Sequence, residues 1–370
     1  MTKKYAAVAI TRNGITQALR LGEHLEHTDL YLLSKYTDGL CEEEGRHFFS
    51  GPVKELLPAL FSRYEGLILF FSLGAVVRLI APLLQDKRTD PAIVAVDERG
   101  EHAISVLSGH LGGANTLTLR VAEILNSRPV ITTASDVQGT IAADLLGQEF
   151  GWTAESYKHM KLVSSAIVNG EEVAFIQECG ERNWLPSGSA LPEHVKLYNH
   201  AEETAGIPLH AVILVTDRIL EEKEYDRLLT NGVLYRPKSL VLGIGCNRGT
   251  TLEELEAVLE DTFSELNLAL ESVLGVATIN LKADEQGLLA LCRNHGWELT
   301  VYTAEQLNTI PVPQPSETVF RVTGAYGVCE PAALLFSGAK EWLLPKRKSG
   351  NVTLSIARIP SEEWSKNDEQ

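Results

Sequence analysis

Apolar runs no longer than a single strand alternate with stretches of helical period from residue 5 to about residue 144, and the alternation starts again at Ser239. Short, wholly apolar strands must be covered on both faces, and helices laid on either side of a parallel sheet provide that cover. The first series predicts strands near residues 6–10, 30–33, 67–71, 93–97 and 130–133, and so an amino-terminal doubly wound α/β domain over 1–144. Residues 102–107 form an additional predicted strand, paired across a turn at 98–101, with its direction left open. The second series predicts a carboxyl-terminal doubly wound α/β domain over 238–360, with strands at 240–244, 276–280, 298–302 and 318–322 and helices at 252–266, 284–295 and 328–336. Thr251 and Glu254 have capping-box spacing at the first of these helices, and residues 341–359 read as a hairpin turning at 349–351. Between the two domains, 145–237 is less regular, with a helix near 154–168, a region containing Pro186, Gly188 and Pro192, and a strand at 211–216. It is expected to be a smaller middle α+β domain, and residues 361–370 a polar tail.

A chain of 370 residues that is 44% hydrophobic can bury two or three cores of ordinary domain size. No apolar run approaches the roughly 20 residues needed to span a bilayer. The amino terminus also lacks a small-residue cleavage pattern, so no membrane association and a cytoplasmic location are expected. Five widely separated cysteines without a CxxC pair favour reduced thiols over a disulfide framework or a zinc ribbon. A net charge of -16 argues against nucleic acid as a partner, and any anionic ligand would need a local cationic pocket.

Two glycine-rich segments stand where such a pocket is expected. In LSGHLGGANTLTLRVAEILNSRPVITTASD, residues 107–136, Gly109, Gly112 and Gly113 allow close backbone approach while Ser108, His110 and Asn115 supply polar side chains. A helix with Leu117, Val121, Ile124 and Leu125 on one face follows, and Thr132, Thr133, Ser135 and Asp136 then leave the carboxyl end of a short strand. Ligands of open α/β sheets collect beyond such strand ends, where helix-start N–H groups favour anions. The structural alternative makes the glycines turn punctuation and His110 a satisfied loop histidine.

The second segment, GIGCNRGT, sets Gly243, Gly245 and Gly249 between a strand and a helix, with Arg248 and Thr250 beside them as an anion grip. Its GxGxxxG spacing, and the absence of GxxxxGK[ST], speak against a nucleotide. Cys246 is either a thiol activated at a helix start or a buried structural cysteine. Lys282, Asp284 and Glu285 follow another strand, Lys282 being a ligand contact or a solvated charge. In GAYGVCEPAAL, Glu330 opens a helix as a catalytic group or as a carboxylate favoured by the dipole. Arg78, Lys87 and Arg88 are further candidate anion contacts, with snorkelling and a solvated loop as the alternatives. Neither GxSxG nor HExxH occurs, and no Ser-His-Asp order is recognisable. His110 is a candidate general base, and no set of residues forms a clear metal cage.

Taken together, GLILFFSLGAVVRLIAPLLQDKRTDPAIVAVDERG, LSGHLGGAN, VITTASD, LGIGCNRGT, ATINLKADEQGL and GVCEPAAL resemble the cobalt-precorrin-5A hydrolases of anaerobic cobalamin biosynthesis, the CbiG family. The resemblance covers the cores of the two outer domains and offers no motif in the middle one. It implies a cobalt-bearing tetrapyrrole substrate, cobalt-precorrin-5A, rich in carboxylates and carrying a δ-lactone between a ring A acetate and the meso carbon C20. It further implies lactone opening and loss of that carbon with its methyl group as acetaldehyde, giving cobalt-precorrin-5B. The cobalt comes with the substrate and no separate cofactor is implied; the partners to expect are the substrate, neighbouring pathway methyltransferases in transient contact, and a second copy in a homodimer.

On this reading His110 and Glu330 handle protons and the glycine-loop amides stabilise an oxyanion. Arg78, Ser108, Gly109, Gly112, Gly113, Asn115, Thr132, Thr133, Asp136, Gly243, Gly245, Cys246, Arg248, Gly249, Thr250 and Lys282 are the expected substrate contacts. Asn247 departs from the basic residue expected there in many relatives, which puts one carboxylate contact in doubt. The competing functions are a non-catalytic carrier of a cobalt tetrapyrrole and a nucleotide- or S-adenosylmethionine-dependent transferase.

Overall fold

A computed structural model describes residues 4–86, 89–185 and 191–361; Lys87, Arg88, Pro186, Gly188 and residues 362–370 of the polar tail lie outside these. The chain divides into two compact units, 1–145 and 146–370. No described helix is long and apolar enough to cross a membrane.

The first unit follows the alternation seen in the sequence. In chain order it comprises β1 (Tyr5–Ala9), α1 (Arg12–His24), β2 (Thr28–Leu33), β3 (Arg46–Phe49), α2 (Val53–Arg63), β4 (Gly66–Phe70), α3 (Leu73–Ile80), β5 (Ala92–Val96), β6 (His102–Leu107), α4 (Ala114–Leu125), β7 (Arg128–Val130) and α5 (Ala134–Gln138). The strands form one sheet in the order β3-β2-β1-β4-β5-β6-β7. Successive side chains of each strand enter opposite cores, as the period of two demands. Ala7, Ala9, Ile68, Phe70, Val94 and Val96 pack under α1 and α4. Ala6, Val8, Leu67, Leu69, Ile93 and Ala95 pack under α2 and α3.

Strands β1 to β5 are mutually parallel. β6 pairs antiparallel with β5, and β7 pairs parallel with β6. The last two strands therefore run against the other five. The carboxyl ends of β6 and β7 consequently lie at the edge where β1 to β5 begin. Pro129, which has no N–H to donate, is tolerated because β7 is an edge strand.

The second unit holds two sheets. The middle region contributes β8 (Thr153–Ala154), α6 (Met160–Asn169), β9 (Val173–Gln177), β10 (Val195–Tyr198), β11 (Ala211–Val215), α7 (Glu222–Leu229) and β12 (Gly232–Arg236). Its sheet, β10-β9-β11-β12-β8, is parallel except for β8. The rest comprises β13 (Leu240–Cys246), α8 (Leu252–Leu266), β14 (Val273–Ile279), α9 (Gln286–His295), β15 (Glu298–Tyr302), α10 (Ala304–Leu307), α11 (Glu317–Thr323), α12 (Cys329–Ser337), β16 (Leu344–Ser349) and β17 (Val352–Arg358). This sheet runs β15-β14-β13-β17-β16, the first three strands parallel and β17 antiparallel to both of its neighbours. Buried Asp217, just after β11, joins the two regions by accepting from Ser239 and from both Nε and Nη2 of Arg358 at 2.7–2.8 Å.

Two local expectations change. The predicted strand at 318–322 is α11: Ser316 caps it by accepting from the Val319 N–H, and Gly324 closes it at φ +76°. The β-branched run mimics a strand, but its capping residues are those of a helix. Thr251 does accept from the Glu254 N–H at 3.3 Å, yet the Glu254 carboxylate does not complete a capping box; it accepts instead from Asn351 N and Nδ2 in the hairpin turn. Gly243 is required by packing, because a Cβ there would collide with the Cys329 carbonyl at the start of α12. Gly243→Ala should destabilise the second unit by about 1–3 kcal/mol, seen as a lower urea midpoint with an unchanged slope; a wild-type midpoint would mean that α12 can move away from β13 without penalty.

Candidate active site

The loop between β6 and α4 is shaped by unusual backbone. Ser108 adopts φ +57° and Gly113 φ +79°, and a Cβ at Gly112 would run into the side chain of Ser108. Ser108 is held there by its Oγ, which donates to the Asp90 carbonyl just before β5 at 2.9 Å. The N–H groups of Gly113, Ala114 and Asn115 turn back onto the carbonyls of His110, Ser108 and Gly109 and start the helix. Among the described residues, those of Gly109, His110, Leu111 and Gly112 have no hydrogen-bond partner.

Around this loop a polar chain forms. Ser105 Oγ donates to Asn115 Oδ1 at 2.7 Å, and Asn115 Nδ2 donates to Thr133 Oγ1 at 2.7 Å and to Asp136 Oδ2 at 3.0 Å. Thr133 Oγ1 donates to the same carboxylate oxygen at 2.7 Å. His110 Nε2 reaches Asp136 Oδ2 at 2.9 Å and lies 3.1 Å from Ser135 Oγ, while its Nδ1 reaches Asp144 Oδ1 at 3.0 Å. The imidazole is thus clamped between two carboxylates.

The clamp fixes its charge. The hydrogen bond to Asp144 is the largest influence on His110; burial opposes it, Asp136 reinforces it, and the result is a pKa raised to about 9. His110 is therefore an imidazolium at neutral pH. Burial would lift the Asp136 pKa, but hydrogen bonds from Thr133, His110 and Asn115 prevail and hold it below the usual carboxylate value. The base expected at His110 is in its resting state an acid.

Of the other residues expected in this unit, Thr132 is exposed and makes no hydrogen bond among the described residues. Arg78 occupies the last turn of α3, exposed and without an ion-pair or hydrogen-bond partner among the described residues. Since α3 connects the end of β4 to the start of the parallel β5, its carboxyl end points toward the sheet edge that carries the His110 loop. Asp144, Ser105 and the orienting role of Asp90 escape the motifs. The available signal for Asp144 was one aspartate among the apolar residues of IAADLL.

In the second unit, Arg248, Gly249, Thr250, Lys282 and Cys246 gather at the carboxyl ends of β13 and β14, where the chain supplies its own anions. Glu285, which is buried, accepts from the Gly249 N–H at 2.8 Å and from Lys282 Nζ at 3.0 Å. Arg248 pairs with Asp284 at 2.6 Å and donates to the Leu281 carbonyl at 3.0 Å. Thr250 Oγ1 turns inward onto the Asn247 carbonyl. Burial pushes the Cys246 thiol up, against the pull of Lys282, so the thiolate expected of an activated cysteine does not form. Gly245 faces Thr353, where a Cβ would come within 2.6 Å of the hydroxyl. Glu330 is 3% exposed, its carboxylate accepting from the Lys346 N–H at 3.4 Å; no hydrogen bond or ion pair among the described residues links it to Arg248 or Lys282. One group in the middle region, Glu178, His200 and Glu202, has ligand atoms within 4.8 Å of one another, but both Glu178 oxygens already accept from Arg218.

Residues 55–136, 141–237 and 240–357 match the family models described as Cobalamin synthesis G N-terminal, Cobalamin biosynthesis central region and Cobalamin synthesis G C-terminus. The chain is 51% identical over 356 residues to the cobalt-precorrin-5A hydrolase of Priestia megaterium, covering 96% of this chain and 95% of that protein. It is 31% identical over 366 residues to the cobalt-precorrin-5A hydrolase of Salmonella typhimurium, with 95% and 97% covered. A cobalamin biosynthesis protein G homolog from Sulfolobus solfataricus, of known crystal structure, aligns at 18% identity and TM-score 0.36 over 97% of this chain and 98% of its own.

The charge on His110 has a stability consequence. Because the folded pKa is raised above the ordinary histidine value of 6.5, the clamp stabilises the fold fully below that pH and loses its effect as pH rises through about 9. In His110→Gln, the fall in melting temperature of the first unit across this window should flatten relative to wild type; parallel curves would show that the imidazole carries no extra proton in the fold.

Proposed function

The chain belongs to the cobalamin synthesis G family, and on that premise we propose that it opens the δ-lactone of cobalt-precorrin-5A and releases the former meso carbon as acetaldehyde, yielding cobalt-precorrin-5B. In class it is a hydrolase that also cleaves a carbon–carbon bond. The reaction needs donors for the oxyanion of the tetrahedral intermediate, a proton for the oxygen that leaves the acyl carbon, and cations for the substrate carboxylates. The observation that carries the reading is the charged His110 held beside a row of unpaired loop amides.

The amides of Gly109 to Gly112 suit the oxyanion, and His110 Nε2 suits the leaving oxygen. Among the described residues Arg78 is a free cation, and the exposed Val77 and Leu84, before and after it in the chain, offer apolar surface to a flat ring with carboxylates at its rim. Arg248 can take a substrate carboxylate by releasing Asp284, an exchange with little cost because the pair is exposed on both sides. Glu330, buried and without a link to Arg248 or Lys282 among the described residues, is assigned to the start of α12 and not to proton transfer. Cobalt arrives with the substrate, and no other cofactor enters the scheme.

Under anaerobic conditions the purified protein should convert cobalt-precorrin-5A with release of one acetaldehyde per substrate; tight binding with no acetaldehyde would replace the hydrolase by a carrier. His110→Ala should lower turnover by about 10²–10⁴-fold with a much smaller change in KM, and wild-type turnover would remove His110 from the chemistry. Arg78→Ala should raise KM several-fold at nearly unchanged kcat, measured in the same assay; an unaltered KM would place the macrocycle elsewhere.

A further inference from the structure

Two details of the His110 clamp remain unused by that scheme. The two sides of the imidazole are unequal: Asp144, on the Nδ1 side, has a side chain only 15% exposed, whereas Asp136, on the Nε2 side, is 39% exposed. Moreover, Asp136 Oδ2 accepts from Thr133, Asn115 and His110, while among the described residues its Oδ1 accepts from none. One carboxylate is walled in against the ring. The other faces outward with an oxygen to spare.

Resting on the hydrolase reading, we propose that His110 and Asp136 act as one proton-exchanging pair, each used once in each direction, and that Asp144 is the positioning residue that keeps Nε2 the working nitrogen. In the first stroke the oxygen of water bonds to the lactone carbonyl carbon and its proton passes to Asp136 Oδ1. The acyl–oxygen bond breaks, and the departing oxygen on C20 takes the Nε2 proton of His110. The ring acetate is now free, C20 bears a hydroxyl, His110 is neutral and Asp136 is protonated.

In the second stroke the C20 hydroxyl returns its proton to Nε2 as its oxygen forms the carbonyl of acetaldehyde. The bond between C20 and the macrocycle breaks, its electron pair stays on the macrocycle carbon, and that carbon takes the proton held by Asp136. Both side chains return to their starting state. The two hydrogens of water end on the new carboxylic acid and on the macrocycle carbon, so no other reactant is required. Holding the imidazole from behind through Nδ1 leaves only Nε2 to exchange protons, which is the task of a buried carboxylate behind a catalytic histidine.

The groups that face His110 are Asp136 and Ser135 from α5 and Asp144 from the turn at 143–145. The test follows lactone opening, as a gain of one water by mass, and acetaldehyde release separately, each across pH, for the full chain and its Asp144→Asn, Asp144→Glu and Asp136→Asn variants. Wild-type activity should decline as pH rises through about 9, where the His110 proton is lost. In Asp144→Asn this alkaline limb should move toward neutrality by about one to two pH units, with KM unchanged, and Asp144→Glu should restore it. Titration of the His110 imidazole by NMR, without substrate, should show the same displacement.

Asp136→Asn should slow both opening and acetaldehyde release by about 10²-fold or more. An alkaline limb and an imidazole titration unmoved in Asp144→Asn would overturn the positioning role, and a pH-independent loss would reduce Asp144 to a structural residue. An unchanged rate of either step in Asp136→Asn would overturn the exchange while leaving the hydrolase intact. Trapping of an acyl ester on Ser135 would overturn the exchange in favour of a covalent route. Failure of the hydrolase reading itself would be visible earlier, as the absence of acetaldehyde from wild type.

Discussion

The antiparallel pairing of β5 with β6 is the constraint on which the site depends. A tight hairpin replaces the crossover connection that every preceding parallel strand uses, so β6 and the β7 that follows it run backwards through the sheet. Their carboxyl ends, and the loops that carry Ser108, His110, Thr133 and Asp136, thereby arrive at the edge where the first five strands begin. At that same edge lie Asp90, whose carbonyl fixes Ser108, and the carboxyl end of α3 with Arg78. Had β6 joined by a right-handed crossover as its neighbours do, the glycine loop would open at the opposite edge, beside Thr11 and Ser72, and would lack both.

Charge is distributed so that each loop solves a different electrostatic problem. Around His110, one imidazolium meets two carboxylates, which keeps the ring protonated and the local balance negative. At the end of β13 and β14, Arg248 and Lys282 are matched by Asp284 and Glu285. Glu285 stands where a helix-start loop would otherwise receive an external anion, its oxygen already on the Gly249 N–H. In a chain of net charge -16 a carboxylate-rich ligand meets overall repulsion, so cations without an internal partner carry disproportionate weight. Among the described residues Arg78 is such a cation, and Arg248 becomes one only by exchange.

The alternation of apolar runs with helical stretches made β1, β4, β5, β13 and β14 legible, because each is wholly apolar or nearly so and is bounded by turn residues, and it reached β2 and β15 through shorter apolar stretches interrupted by Asp29, Glu298 and Thr300. β3 and β10, short and only partly buried, carry no such run, and α11 was hidden by β-branched residues whose capping signals pointed the other way. The glycine loop was legible as a candidate site, and Ser108, His110, Asn115, Thr133 and Asp136 do converge there. The direction of β6 was not, since periodicity reports which face a residue occupies and is silent on which way the strand runs. Nor was the protonation of His110: it depends on Asp144, a contact 34 residues away that only the tertiary fold creates.

The backbone of the loop bears on why these residues are small and polar. Ser108 sits at φ +57°, a conformation costing of order 1 kcal/mol for a residue with a Cβ, and Gly112 has no room for a side chain beside it. Four successive N–H groups, at residues 109–112, forgo the hydrogen bonds that a tighter turn would give them. A loop selected for stability alone would close those bonds, as Asn247, Gly249 and Thr250 do in the second loop with Asn351, Glu285 and the loop's own carbonyl, leaving only the Arg248 N–H without a partner among the described residues. Strain and unmet donors in one loop, against largely satisfied donors in the other, are the contrast expected between a segment shaped for a ligand and one shaped for its own fold.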